Sequence, residues 1–198
     1  LAGSAGASVT PFHPVLFHGT ARLAYGVSEW TDLSAEATAV VVTDRTVTGV
    51  ASDAFPAVLS LRLGAKQAFT RHLAFSLGVG AGGSAGGGHV SPDVGVVAGY
   101  DNPYVVPFGS FRAFASVPFA AREVAFRDNE AGLVVLRPES STGFAWMTGV
   151  RVSVGVLPAG GRRRGAFIAG FGGTTLYSGD TRITWFSGQL GFELRLAE

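Results

Sequence analysis

Side chains along most of this chain alternate between apolar and polar with a period of two. In Leu59-Ser60-Leu61-Arg62-Leu63-Gly64-Ala65-Lys66 every odd position is apolar and every even one is small, polar or charged. Leu190-Gly191-Phe192-Glu193-Leu194-Arg195-Leu196 repeats the pattern, and Leu33-Ser34-Ala35-Glu36-Ala37-Thr38-Ala39-Val40-Val41 follows it with smaller residues. That period belongs to extended strands, whose successive side chains point to opposite faces. The apolar positions are too many and too regular for one small core. A closed barrel standing in lipid, apolar outside and polar inside, accommodates them.

Composition agrees. At 198 residues the chain is one domain, 1–198, long enough for about eight to ten spanning strands with turns. Charged residues make up 15%, well below the roughly 25% usual for soluble domains, and the mean hydropathy is +0.33. The net charge is +1 and no face gathers a basic stripe with interleaved aromatics, so nucleic acid is not an expected partner. Without cysteine there is neither a disulfide framework nor a thiolate metal site. The longest uncharged run, Leu73 to Pro92, holds seven glycines, each costing about 1 kcal/mol relative to Ala in a helix. Its first half alternates, so it reads as a strand followed by a flexible loop. The opening Leu1-Ala2-Gly3-Ser4 lacks a basic, apolar leader, which leads us to expect that a signal peptide has been removed.

Candidate strands cover 15–28, 33–42, 57–66, 72–81, 93–100, 105–117, 143–157, 164–177 and 183–196. Connections alternate in length, with 29–32, 67–71, 101–104 and 158–163 short and 43–56, 82–92, 118–142 and 178–182 longer. Tight turns on the periplasmic rim and longer loops outside give this asymmetry. Nine strands is an odd count for a bacterial single-chain barrel. Residues 3–11 make ten as a weak small-residue strand, and loss of one segment would make eight. Ten is favoured, in an all-β, antiparallel, up-and-down barrel.

Trp30, Phe69, Tyr100 and Tyr104 sit at three of the four short turns, where an interfacial aromatic girdle belongs. The insertion 118–142 is strongly charged, and Arg127-Asp128-Asn129-Glu130 reads as a turn between two short strand-like pieces. It is a charged outer hairpin, or more sharply a partner-contact segment. Arg162-Arg163-Arg164 falls in a periplasmic turn, where it is a solvated turn or a docking patch.

Period-two counting puts Arg22, Glu36, Arg62, Lys66, Arg112, Arg151, Glu193 and Arg195 inside, with Asp93 near one end. A lipid-facing Arg or Lys near the midplane costs about 2–4 kcal/mol, so inward placement follows from the barrel. In eight strands these charges would fill and close the lumen. In ten, some water could remain and the basic excess would favour anions. Pairing within the lumen is the expected arrangement.

Candidate chemistry is sparse. His89, near Ser91 and Asp93 in the Gly-rich segment, is the one His-Ser-Asp grouping, and it is expected to be a solvated loop. His13 and His18 match no zinc spacing. Gly78-Val79-Gly80-Ala81-Gly82-Gly83 has the spacing of a dinucleotide fingerprint, but more glycine follows where a helix is required. No cofactor, metal or catalytic residue is expected.

Leu23 to Glu36, a strand ending in Tyr25-Gly26-Val27, a polar turn and an alternating strand with an inward acid, resembles hairpins of small bacterial outer-membrane β-barrels of the OmpA/OmpX-like class. Ile183 to Leu196 resembles the C-terminal strand recognised by barrel-assembly machinery, although Leu194, Leu196 and Ala197-Glu198 follow Phe192 where an aromatic usually ends the strand. The resemblance is one of architecture and names no single family. It implies an outer-membrane location, with the lipid bilayer and lipopolysaccharide as partners and other envelope proteins as further ones. The expected role is a structural anchor or subunit of an envelope assembly. A narrow, weakly anion-preferring channel is the alternative, and a lipid-modifying enzyme or a soluble β-barrel is less favoured.

Overall fold

The computed structural model describes residues 2–10, 16–42, 58–84, 86–100, 102, 104–128, 132–136, 139–154 and 165–195. Twelve strands run in chain order: β1 Ala2–Thr10, β2 Leu16–Gly26, β3 Thr31–Val42, β4 Val58–Ala68, β5 Leu73–Ser84, β6 Gly87–Gly99, β7 Val105–Phe119, β8 Val124–Asp128, β9 Gly132–Leu136, β10 Ser141–Val154, β11 Gly165–Ser178 and β12 Thr181–Arg195. Ten of them close into one antiparallel barrel in the order β1-β12-β11-β10-β7-β6-β5-β4-β3-β2, and β8 pairs with β9 in a separate hairpin. The weak segment near the start is therefore a wall strand. It joins β12 on one side and β2 on the other.

Closure can be followed residue by residue. Val105 pairs with Val152, and the line continues through Phe167, Phe192, Ala5, Ala21, Ala37, Leu61, Ala81 and Val90 to Val117. One circuit thus climbs β7 by twelve residues, and every residue on it is Val, Phe, Ala or Leu. With ordinary strand spacings this shear tilts the strands by about 40° and sets the Cα radius at about 10 Å. β4 shows the alternation most cleanly: Leu59, Leu61 and Leu63 are over half exposed, whereas Ser60, Arg62 and Lys66 between them are shielded. Exposed large apolar residues also cover the outside of β2, β3, β5 to β7 and β10 to β12, Phe167, Phe171 and Leu190 among them.

Two connections differ from the sequence-based expectation. The segment 82–92 is not a long loop: β5 runs to Ser84, β6 starts at Gly87, and two positions join them. Paired register continues from Leu73↔Ala98 up to Ser84↔Gly87. Glycine carries no side-chain polarity, so alternation cannot be read through it, yet its backbone N–H and C=O still join the ladder. Gly87 has φ +112°, the left-handed region that glycine tolerates. A Cβ there would also lie 2.5 Å from the carbonyl oxygen of Ala120. The segment 178–182 likewise shortens to a two-residue turn, Gly179-Asp180, with Gly179 at φ +53°.

On the opposite rim the connections between β2 and β3, β4 and β5, and β6 and β7 are turns held by side chains. Ser28 Oγ accepts from the Trp30 amide at 3.2 Å, Thr70 Oγ1 accepts from the His72 and Leu73 amides at 3.1 and 3.0 Å, and Asn102 Oδ1 accepts from the Tyr104 amide at 2.9 Å. These are side-chain turns of the Asx and Ser/Thr type, a local reason for the chain to reverse there.

Candidate functional site: the barrel lumen

Inward positions of neighbouring strands share rows, and the rows bring the charges together. Arg62 on β4 donates from Nε and Nη2 to both carboxylate oxygens of Asp93 on β6, each at 2.6 Å. The two side chains are 16% and 5% exposed, so this fork is the most sheltered ion pair of the wall. Lys66 pairs with Asp32 on β3 at 2.6 Å. Arg151 on β10 donates to Glu193 on β12 at 3.1 and 3.0 Å and from Nη1 to Ser153 at 3.2 Å.

Asp93 lies mid-strand, not near one end, because β6 begins six residues before it. Asp32 was not among the expected lumen charges; it looked like a turn residue, but β3 starts at Thr31 and carries it inward beside Lys66. Arg22 stands directly across from Glu36, and its Nε is buried without a hydrogen-bond partner. Arg112 faces Gly95 and Ala145 across its two strand neighbours, and among the described residues it forms no ion pair or hydrogen bond. Arg195 lies on β12 opposite Ala2.

Glycine shapes this interior. The Arg62 guanidinium lies across Gly64 and Gly78: a Cβ at Gly78 would sit 2.5 Å from its Cζ and one at Gly64 2.6 Å from Nη1. His89 covers Gly82 in the same way, Phe114 covers Gly143 and Phe108 covers Gly149. Long inward side chains thus fold onto bare backbone of the next strand instead of projecting to the axis. Among the described residues no large side chain is fully buried; the buried apolar ones are Ala74 and Ala166. A close-packed plug would bury its large side chains, so this lumen is lined and not filled.

His89, Ser91 and Asp93 stand at alternate positions of β6 and so share the inward face; they are not in a loop. Asp93 is held by Arg62, and no hydrogen bond joins His89 to Ser91. Among the described residues no group of three His, Cys, Asp or Glu could hold a metal ion. His18 is a β2 residue, and His13 lies outside the described residues.

Trp30, Phe69, Tyr100 and Tyr104 lie at the rim of the turns held by Ser28, Thr70 and Asn102, from 44% to 65% exposed. Tyr100 stacks on His72 with centroids 5.6 Å apart and planes 6° from parallel. A second aromatic group was not legible as a unit in the sequence. Trp146, Phe171 and Phe186 on three successive strands meet on the outer wall at centroid distances of 5.8 to 6.4 Å. Register, which sequence does not give, brings them together. Arg127 and Asp128 end β8, the first arm of the expected hairpin. Glu130 and Arg162, Arg163 and Arg164 lie outside the described residues.

No family model matches the chain, and no curated protein matches it by sequence. Solved structures do. A membrane protein from a study of in-meso crystallisation is 11% identical, with 98% of this chain and 84% of that one covered and a TM-score of 0.52. The N-terminal β-barrel domain of Pseudomonas aeruginosa OprF is 8% identical, covering 98% and 97%, with a TM-score of 0.41. Neisserial surface protein A is 14% identical, covering 98% and 96%, with a TM-score of 0.42. At such identities the likeness is one of fold alone, a closed antiparallel up-and-down β-barrel.

Proposed function

We propose that the chain is an integral protein of the bacterial outer membrane whose lumen is a narrow, water-filled, weakly anion-preferring pore. The observation that carries this reading is the unfilled interior of a ten-stranded wall, in which no large described side chain is fully buried. Among the described residues three acid–base pairs cancel their own charge and Arg22 stands opposite Glu36, which leaves Arg112 uncompensated in mid-wall. A lone cation in a low-dielectric channel raises the local anion concentration. On this reading the outer wall contacts lipid and lipopolysaccharide, the rim of Trp30, Phe69 and Tyr100 faces the periplasm, and the protein is not an enzyme.

A structural anchor is the second reading. It is favoured by the β8–β9 hairpin, which is paired only to itself and so is free to meet a partner. The two separate in planar bilayers under a potassium chloride gradient, with folding checked by heat-modifiable gel mobility. The pore reading expects small discrete conductance steps and a reversal potential displaced toward chloride. Arg112→Gln should bring that potential close to the unselective value. Folded protein that leaves the bilayer silent overturns the pore and leaves the anchor.

A further inference from the structure

The two sides of the lumen differ chemically. Inward positions of β3 to β6 hold Glu36, Arg62, Asp93 and a run of small residues. Those of β7 and β10 to β12 carry an apolar row near the end that bears β8 and β9, just below a polar rim of Ser116, Ser141, Ser178 and Thr181. Phe114, Gly143, Leu176 and Ile183 form one cross-strand row there. Arg112, Ala145, Thr174 and Trp185 form the next inward row, two residues deeper on β7. Ile183 lies one inward position below Thr181 of that rim and is 51% exposed. Phe114 lies against Gly143, so the tip of its ring rests over the bare backbone of β10. At the foot of this strip stands Arg112, with no acid and no hydrogen bond among the described residues.

An apolar strip that ends on a single unpaired cation is complementary to a molecule with an apolar body and one anionic end. Resting on the pore reading above, we infer that the lumen takes small amphiphilic carboxylates, with an aryl or short alkyl body on Phe114, Leu176 and Trp185 and the carboxylate on the Arg112 guanidinium. A guanidinium donates two parallel hydrogen bonds to a carboxylate, which fixes the head while the body remains adaptable. A hydrated inorganic anion would use Arg112 and leave the strip wet.

The test is equilibrium titration of the folded protein in nanodiscs with 4-phenylbutyrate and with acetate, alongside chloride conductance on the same preparation. Phenylbutyrate should bind at least about tenfold more tightly than acetate, because only it covers the apolar strip. Arg112→Gln should weaken phenylbutyrate by about tenfold or more, the loss expected for one charged hydrogen-bonded contact, and Arg112→Lys should recover part of it. Leu176→Ser should weaken phenylbutyrate and leave acetate unchanged. Equal binding of the two acids, or phenylbutyrate affinity indifferent to Arg112→Gln in a variant with native gel mobility, overturns the inference. Chloride conductance without selective binding overturns this inference alone. Selective binding without conductance overturns the pore reading alone.

Discussion

Arg62 reaches Asp93 two strands away because the residues it crosses, Gly64 and Gly78, have no side chain. Gly78→Val therefore strikes the ion pair and not merely the strand. Breaking a sheltered pair by removing one partner costs about 3–5 kcal/mol, since the other charge stays buried and unpaired. Arg62→Ala should approach that loss in urea unfolding from lipid vesicles, whereas Arg62→Ala combined with Asp93→Ala should recover much of it. A double variant as unstable as the single one would show that Arg62 acts by packing. Period-two counting placed both residues inside, with Asp93 near one end, but did not bring them together. Asp93 lies beyond a glycine run that hides the register, and no residue near Arg62 in the chain hints at an acid thirty-one positions on.

Strands were legible wherever apolar and polar residues alternate, as in β4 and β12, because lipid enforces the pattern on one face. They were illegible where glycine replaces the pattern: the end of β5 and the start of β6 looked like one loop. The same parity makes each strand intolerant of shifts. Val79 lies outward near the middle of β5 and is 49% exposed, so Val79→Arg should cost about 2–4 kcal/mol. Ser60→Arg, one strand away on the inward face, should cost far less in the same unfolding assay. A one-residue insertion after Leu61 should be worse than either. It turns every later β4 side chain to the opposite face, sending Arg62 and Lys66 into lipid. Loss of the folded, heat-modifiable band is the expected outcome.

Ten strands and a shear of twelve are properties of the whole wall. Only the even strand number followed from the chain, because an up-and-down wall closes antiparallel all the way round only with an even count. How far the strands climb depends on pairings between segments far apart in sequence, and so does the meeting of the apolar strip with Arg112. The closing pairs involve β1, whose residues are Ala, Gly, Ser, one Val and one Thr. Strands of that composition contribute backbone hydrogen bonds and little apolar contact, so amide exchange in lipid should be fastest along β1 and its two partners. Uniform exchange around the wall would refute this. A cylinder fastened along one such plain strand has a natural parting line: insertion into the bilayer is expected to finish there, and any sideways passage between lumen and lipid to begin there.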